Sequence, residues 1–257
     1  MPTPPPTVSR YVALGDSFTE GVGDPDPSRP NGLRGWADRV AEVLAGRDPG
    51  FGYANLAVRG RKLPRILREQ VEPALFLEPD LVTSYAGAND ILRPRVDIDA
   101  LAAAYDEAVG RLCGTGATVV LFTAFDPGGS AIYRPLRGRF ALYTEAVREI
   151  ADRHGTHVVD FWRMREYRDF GYWDTDRMHL GPAGHQRMAM AVLDTLGVAH
   201  DLEPLPPTPH PELSARELRA RNVEWARMHA GPWVHRRLTG RSSGDNVSAK
   251  RPELAPI

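Results

Sequence analysis

The sequence has little cysteine and no long apolar segment, and both shortages narrow what the protein can be. Cys113 is the single cysteine in 257 residues, so no disulfide can form within the chain. A reducing cytoplasm is the simplest compartment for such a chain. No apolar run approaches the roughly 20 residues of a transmembrane helix, and the N-terminal Met-Pro-Thr-Pro-Pro-Pro-Thr lacks the basic and apolar regions of a signal peptide. We therefore expect a cytoplasmic protein without a membrane span.

An excess of charge of either sign is also missing. The chain carries 32 Lys and Arg residues against 33 Asp and Glu residues, which gives a formal net charge of −1 at pH 7. The chain as a whole therefore has no electrostatic reason to bind nucleic acid or an anionic membrane. With 42% hydrophobic and 25% charged residues, the composition is that of an ordinary globular protein. The chain is long enough to bury a core that needs no disulfide or structural metal.

Short apolar runs and helical patterns alternate along the chain as far as residue 198. The apolar runs predict strands at residues 11–14, 53–56, 81–85, 118–122 and 157–160. The helical patterns predict helices at residues 36–44, after Pro64, and at 98–112, 136–153 and 182–196. Alternation at this spacing predicts a parallel sheet with helices on both faces. We expect an α/β fold, a three-layer α/β/α sandwich of the flavodoxin type, over residues 9–198.

The two ends of the chain differ in composition from this central part. Residues 1–8 are rich in proline and are predicted to be disordered. Residues 203–211 carry five prolines, which indicates a linker, and Ser214 and Glu217 are then spaced as in a helix capping box. We expect residues 199–238 to form this linker and a C-terminal helical extension packed on the main domain, because they are too few for a core of their own. The polar residues 239–257 are predicted to be disordered.

One serine follows the first predicted strand, in Gly15-Asp16-Ser17. Ligands of open α/β sheets bind in the crevice beyond the carboxyl ends of the strands. A serine that follows a tight glycine turn at this edge has its hydroxyl at the mouth of the crevice. Ser17 is therefore a candidate nucleophile. The tripeptide by itself is also compatible with a serine that caps a helix in a βα loop.

A serine hydroxyl needs a base to take its proton before it can attack a carbonyl carbon. Among the eight histidines, His179 lies in a polar loop just before the last predicted helix. By strand order this loop belongs at the same edge of the sheet as Ser17. Asp176, three residues earlier, can turn back to the imidazole, fix its tautomer and stabilise the imidazolium. The Asp-x-x-His pattern by itself is also compatible with a loop histidine beside a capping carboxylate.

Acyl transfer also requires hydrogen-bond donors for the oxyanion of the tetrahedral intermediate. Gly60 follows the second predicted strand, where a glycine lets a backbone N–H approach a ligand closely. Asn89 follows the third strand, and its side-chain amide is a neutral donor. Taken singly, Gly60 could serve the entry of a helix and Asn89 an Asx turn. All of these residues, however, fall after a strand on the same predicted edge, which makes coincidence a poor explanation.

With these residues in place, the sequence resembles the SGNH (GDSL) hydrolase family over residues 10–196. The four sequence blocks that mark the family are present in order and at about the expected spacing. They are matched by Gly15, Asp16, Ser17 and Thr19 in the first block, Gly60 in the second, Gly87, Asn89 and Asp90 in the third, and Asp176 and His179 in the last.

The resemblance implies a specific site and a class of substrate. It implies a Ser17–His179–Asp176 triad, and an oxyanion hole formed by the Ser17 and Gly60 N–H groups with the side chain of Asn89. It also implies a small-molecule acyl ester as substrate and neither a metal nor an organic cofactor. The C-terminal extension lies outside the resemblance, which therefore implies nothing about it.

Three functions fit this pattern. The first is a serine esterase that works through an acyl-enzyme, and the second is an acyltransferase in which another alcohol replaces water. The third is a catalytically silent binding module of the same fold. The presence of a competent residue at every catalytic position argues against this third function. The acyl and alcohol parts of the substrate, the role of the extension and the oligomeric state stay open. The loop at residues 126–135 is expected to border the site.

Overall fold

The computed structural model describes residues 8–130 and 132–257, apart from the side chains of residues 237 and 238. The predicted disorder of residues 1–7 lies outside the described residues. Val8, which was included in that prediction, is buried against the core, so for this residue the prediction is wrong. The strands are β1 (Arg10–Gly15), β2 (Gly52–Asn55), β3 (Leu81–Tyr85), β4 (Thr118–Phe122), β5 (His157–Val159) and β6 (Arg251–Ala255).

The helices occupy the segments in which the sequence predicts them, together with several short turns. They are α1 (Ser17–Glu20), α2 (Gly35–Ala45), α3 (Leu63–Ile66), α4 (Glu72–Phe76), α5 (Ala88–Ile91), α6 (Ile98–Cys113), α7 (Arg137–His154), α8 (Pro182–Thr195), α9 (Ala215–Trp225) and α10 (Gly231–Leu238). π-helical turns join α3 to α4 and α9 to α10.

The strands form one sheet in the order β5-β4-β3-β1-β2-β6. The first five strands are mutually parallel, and β6 runs antiparallel to β2 at one edge. From β1 the chain moves to one side to form β2, and then to the other side to form β3, β4 and β5. The order therefore reverses between β1 and β3, which is where ligands bind in open α/β sheets.

Helices cover both faces of the sheet. Successive side chains of a strand point to opposite faces. Tyr11 and Ala13 of β1 join a core that includes residues of α2 and α8, whereas Val12 and Leu14 join a second core with residues of α6 and α7. The expected three-layer α/β/α architecture with a parallel sheet is confirmed.

The last part of the chain corrects one expectation. Residues 239–257 were predicted to be disordered, but they contain the strand β6. This strand pairs with the outer edge of β2, whose backbone N–H and C=O groups thereby gain hydrogen-bond partners. The Lys250 ammonium lies 2.9 Å from Asp38 Oδ2, and both side chains are fully buried. The polar composition that indicated disorder is thus explained in part by an internal ion pair.

The C-terminal helices contact the main domain. Helix α9 begins at the predicted capping box, where the Ser214 hydroxyl accepts from the Glu217 N–H and the Glu217 carboxylate accepts from the Ser214 N–H. At the other end of α9, the Trp225 indole N–H donates to the backbone oxygen of Asp176, 3.0 Å away. How the chain divides into domains stays a prediction. Within the described residues, no helix has the length and apolarity to span a bilayer.

Candidate active site

The turn after β1 places Ser17 at the carboxyl edge of the sheet. Gly15 has a φ of +150°, and a Cβ at this position would lie 2.7 Å from the backbone oxygen of Tyr85, so only glycine fits. The Gln70 amide fixes the turn: it donates to the Gly15 oxygen at 2.9 Å and accepts from the Gly15 N–H at 2.8 Å. The Asp16 carboxylate caps α1, whose first residue is Ser17. An N–H in the first turn of a helix has no intrahelical acceptor and is available to a ligand.

The loop before α8 brings His179 and Asp176 to this serine. The Ser17 hydroxyl oxygen lies 3.0 Å from His179 Nε2, and His179 Nδ1 lies 2.5 Å from Asp176 Oδ2. Asp176 Oδ1 accepts from the backbone N–H groups of Met178 and His179. Burial opposes the ionisation of Asp176, but the hydrogen bond with the imidazole and these N–H groups outweigh it and lower the pKa of this carboxyl. The arrangement is a continuous chain of hydrogen bonds from carboxylate to hydroxyl.

The loop contains a second aspartate that does not reach the imidazole. The Asp174 N–H donates to the backbone oxygen of His179 at 2.8 Å, which closes the loop as a turn. The Asp174 carboxylate contacts the Thr175 hydroxyl at 3.3 Å instead of the His179 ring. Of the two aspartates, Asp176 alone contacts the His179 imidazole.

Gly60 lies in the turn between β2 and α3, beside the site. Its φ is +72°, and a Cβ here would lie 2.4 Å from the Ser242 hydroxyl oxygen. Its backbone oxygen accepts from that hydroxyl at 3.2 Å. Its N–H meets no acceptor among the described residues, so this donor is available to an oxyanion.

Asn89 lies in α5, directly after β3. Its side-chain nitrogen donates to Asp16 Oδ2 at 2.9 Å and to the backbone oxygen of Arg61 at 3.0 Å. Both amide hydrogens therefore already have an acceptor, which the sequence did not lead us to expect. Donation from Asn89 to an oxyanion requires one of these hydrogens to be shared or released.

Asp16 is a buried carboxyl group beside these donors. It is 2% exposed, and burial raises its pKa to about 7. Near neutral pH this group is thus only partly ionised. A neutral Asp16 opposes the build-up of negative charge on a neighbouring oxyanion less than a carboxylate does.

These side chains open into one cavity of about 710 Å³. Aromatic residues from the β4 and β5 loops line one side, and among them Phe125 and Trp173 pack with ring centroids 5.0 Å apart. Tyr133, from the loop predicted to border the site, also lines it. The acidic residue of that loop, Asp126, instead accepts hydrogen bonds from arginines and fastens the loop.

The C-terminal extension forms a wall of this cavity, which was not predicted from the sequence. The residues that do so lie between positions 228 and 245: Met228, His229, Pro232, Trp233, Arg236, Gly240, Arg241, Ser242, Ser243 and Asp245. Most of these side chains are polar. In the sequence of this region, the capping box at Ser214 was the main indication of ordered structure. Their position follows from contacts made by the backbone, such as the carbonyl of Gly244, which accepts from the Arg61 guanidinium at 3.2 Å.

His185 is a packing residue of the core. It is fully buried in α8, and its Nδ1 accepts from the Trp36 N–H at 3.1 Å. Burial lowers its pKa to about 4, so it stays neutral at physiological pH. Among the described residues, no group of three or more His, Cys, Asp and Glu side chains is placed to hold a metal ion.

The comparison with protein families identifies the chain. The sequence model of the GDSL-like lipase/acylhydrolase family matches residues 13–187, and the chain belongs to this family. No curated protein sequence matches it. The resemblance to the SGNH (GDSL) hydrolases is thereby confirmed.

Two solved structures are similar to the fold. An alpha/beta hydrolase from the metagenome of Lake Arreo, Spain, is 25% identical with a TM-score of 0.62, over 75% of this chain and 97% of that one. A catalytic mutant of an acetylxylan esterase from Geobacillus stearothermophilus is 23% identical with a TM-score of 0.63, over 74% of this chain and 95% of that one. Both matches leave about a quarter of this chain without a counterpart.

Proposed function

We propose that this member of the GDSL-like lipase/acylhydrolase family is a serine esterase that cleaves carboxylic acyl esters through an acyl-enzyme. Ser17 is the nucleophile, His179 its general base, and Asp176 the residue that orients His179. The Ser17 and Gly60 N–H groups and the Asn89 side chain form the oxyanion hole. Family membership supports ester hydrolysis in general, and the roles of these residues are our proposal.

The observation that supports the proposal most is the chain of hydrogen bonds from Asp176 through His179 to Ser17, with distances of 2.5 Å and 3.0 Å. The carboxylate requires the hydrogen on Nδ1, so Nε2 carries the lone pair that takes the serine proton. As the hydroxyl attacks the ester carbonyl, the imidazolium that forms is stabilised by Asp176. His179 then gives this proton to the leaving alcohol.

The second half of the reaction repeats these steps with water. His179 takes a proton from water, the hydroxide attacks the acyl-enzyme, and the proton returns to Ser17 as the acid leaves. Both tetrahedral intermediates place negative charge on the former carbonyl oxygen. The free Gly60 N–H is preorganised to donate to it, and Asn89 joins by sharing the hydrogen that it otherwise gives to Asp16.

The test combines covalent labelling and turnover. A fluorophosphonate probe should label the wild-type protein on Ser17, and a 4-nitrophenyl acyl ester should be hydrolysed. Ser17→Ala should abolish labelling and lower kcat by about a million-fold, while the free energy of unfolding changes little because only a half-exposed hydroxyl is removed. A variant that keeps more than about a thousandth of the activity would exclude Ser17 as the nucleophile.

Two further outcomes separate the other functions. Absence of labelling and of turnover with every ester would indicate a binding module. Transfer of the acyl group to an added alcohol in preference to water, measured by product analysis, would indicate an acyltransferase with the same acyl-enzyme.

A further inference from the structure

The cavity has two sides of different chemistry, and the order of the strands sets them apart. Ser17 follows β1, which lies in the middle of the sheet. Phe125 and Trp173 follow β4 and β5 and line the aromatic side. Basic residues line the cavity in the turn after β2, on the other side of Ser17, and also after β3, which adjoins β1.

The basic side combines two distant parts of the sequence. Lys62 and Arg65 follow the Gly60 turn, and residues 241–245 of the extension lie along that turn. Contacts between them include the bond from the Ser242 hydroxyl to the Gly60 oxygen and an ion pair of 3.7 Å between Arg65 and Asp245. Arg236 lines the same cavity and accepts, through its backbone oxygen, from the Arg241 N–H.

Some of the cationic side chains around the cavity already have acidic partners. The Arg59 guanidinium pairs with the buried carboxylate of Glu20 at 2.5 Å, and Arg65 pairs with Glu69 at 2.7 Å. In each pair the carboxylate neutralises the guanidinium, and the contact holds the wall of the cavity in place. These arginines are not available to a ligand without a loss of those contacts.

The remaining cations have no such partner. Lys62, Arg93, Arg236 and Arg241 form no salt bridge with any carboxylate of the described residues. The Arg93 Nε is buried and has no hydrogen-bond partner among the described residues. The chain as a whole is nearly neutral, with 32 basic and 33 acidic residues, so this surplus is local to the cavity.

The acidic groups of the cavity do not offset these charges. Asp176 is engaged with the imidazole of His179. Asp16 is buried, and burial raises its pKa to about 7. Asp245 pairs with Arg65 and accepts from the Ser242 N–H. A cavity lined by an excess of one charge concentrates ligands of the opposite charge.

We propose that the substrate is an acyl ester that carries an anionic group, a phosphate or a carboxylate, and that Lys62, Arg93, Arg236 and Arg241 bind this group. This inference rests on the proposed esterase function. Guanidinium groups bind both kinds of anion through paired N–H donors, and such charge-assisted bonds are stronger than neutral ones. The anion can belong to the alcohol or to the acyl part of the ester, and the test distinguishes these two sources.

The first experiment compares anionic esters with neutral esters of similar shape. For an anion on the alcohol, the substrates are 4-acetoxyphenyl phosphate and 4-acetoxybenzoate against the neutral 4-acetoxybenzamide. For an anion on the acyl part, they are 4-nitrophenyl 4-carboxybenzoate against 4-nitrophenyl 4-carbamoylbenzoate. Each kcat/KM is divided by the rate constant of hydroxide-catalysed hydrolysis, which corrects for intrinsic reactivity.

In at least one of the two sets, the anionic ester should be preferred by about ten- to a hundredfold, the range expected for hydrogen bonds to a charged group. The preference should fall as salt is added. In Arg236→Gln/Arg241→Gln it should shrink toward unity, measured as the ratio of anionic to neutral ester within each variant. Arg95→Gln, which replaces an exposed arginine outside the cavity lining, should keep the wild-type ratio.

Equal normalised rates for anionic and neutral esters in both sets would overturn the inference while leaving the esterase function intact. A preference that survives in Arg236→Gln/Arg241→Gln would overturn the assignment of these residues. If no ester is hydrolysed, the proposed function has failed, and calorimetry with phenyl phosphate then tests the subsite alone. Binding that is weakened tenfold or more in the double variant supports the subsite, and binding no tighter than that of phenol excludes it.

Discussion

Two regions of the chain line the same cavity, and they differ in how their sequences encode it. Ser17, Asn89 and His179 each follow a strand of the parallel sheet, and each lies within a short motif. Arg236 and Ser242 come from the C-terminal extension, outside the residues 13–187 that match the family. The comparison indicates that the proposed catalytic residues belong to the part of the chain that matches the family, whereas the extension supplies part of the cavity wall.

The two regions are also held in place by different forces. The motif residues are attached to a sheet with an apolar core on both faces. The extension contacts the main domain through individual polar links, among them the Trp225 indole bond to Asp176 and the buried Lys250. We therefore expect substitutions in the first region to affect catalysis most, and substitutions in the second to affect docking, specificity and the fine position of the site.

After Ser17→Ala, the largest effect on turnover is expected for Asp176, the residue that we propose orients the base. Asp176→Asn removes the charge that stabilises the imidazolium and favours the wrong tautomer, so kcat should fall by up to about ten thousand-fold. The matched control is Asp174→Asn in the same loop, whose carboxylate does not contact the imidazole. It should keep kcat within a few-fold of the wild-type value, as measured with a 4-nitrophenyl ester. Equal losses in the two variants would contradict the roles assigned to this loop.

The second prediction tests whether the extension is docked. Lys250→Met leaves the fully buried Asp38 without its cation, and removal of one partner of a buried ion pair costs about 3–5 kcal/mol. The free energy of unfolding, measured in urea, should fall by this amount. The double variant Lys250→Met/Asp38→Asn, which no longer buries a lone charge, should recover part of the loss. A stability within about 0.5 kcal/mol of wild type for Lys250→Met would show that β6 is not fastened in this way.

The central region could be predicted because local patterns determine it. The apolar run at 118–122 is a strand in every residue, and the helix predicted at 98–112 extends over Ile98–Cys113. Buried strands and amphipathic helices leave a periodic pattern in the sequence, and parallel strands bring their carboxyl ends together. Positions of the candidate catalytic residues at one edge follow from this geometry.

The extension could not be predicted in the same way, because its structure depends on distant partners. Lys250 is buried through an ion pair with a residue of α2, and β6 is a strand because the edge of β2 is open to it. Neither the α2 residue nor the β2 edge can be inferred from the local sequence of residues 239–257, which is polar and lacks periodicity. The engagement of both Asn89 hydrogens was missed for the same reason, since the acceptors Asp16 and Arg61 are far away in sequence.

The third prediction concerns the buried Asp16. Its pKa is raised by burial to about 7 in the folded protein, against about 3.9 in an unfolded chain. Between these values the folded protein keeps a proton that the unfolded chain has released. This group therefore lowers the free energy of unfolding as pH rises through that range.

Asp16→Asn removes this titration. The stability of the variant relative to wild type, followed by thermal or urea unfolding, should increase from about pH 5 to about pH 8. Changes in the hydrogen bond to Asn89 alter the relative stability by a constant amount and cancel in this comparison. A relative stability that is the same at both pH values would contradict the raised pKa.

The smallest effect is expected where the extension contacts the Gly60 turn. The Ser242 hydroxyl donates to the Gly60 backbone oxygen at 3.2 Å, whereas the neighbouring Ser243 hydroxyl makes no hydrogen bond within the described residues. A hydrogen bond of this kind contributes about 0.5–1.5 kcal/mol, so its loss in Ser242→Ala should lower kcat by up to about tenfold. Because the Gly60 N–H is proposed to act on the oxyanion, KM should change less than kcat. Ser243→Ala, which removes no hydrogen bond to the Gly60 turn, should keep the wild-type kcat. If Ser242→Ala keeps the wild-type kcat, the extension does not position the Gly60 turn and contributes only to the wall of the cavity.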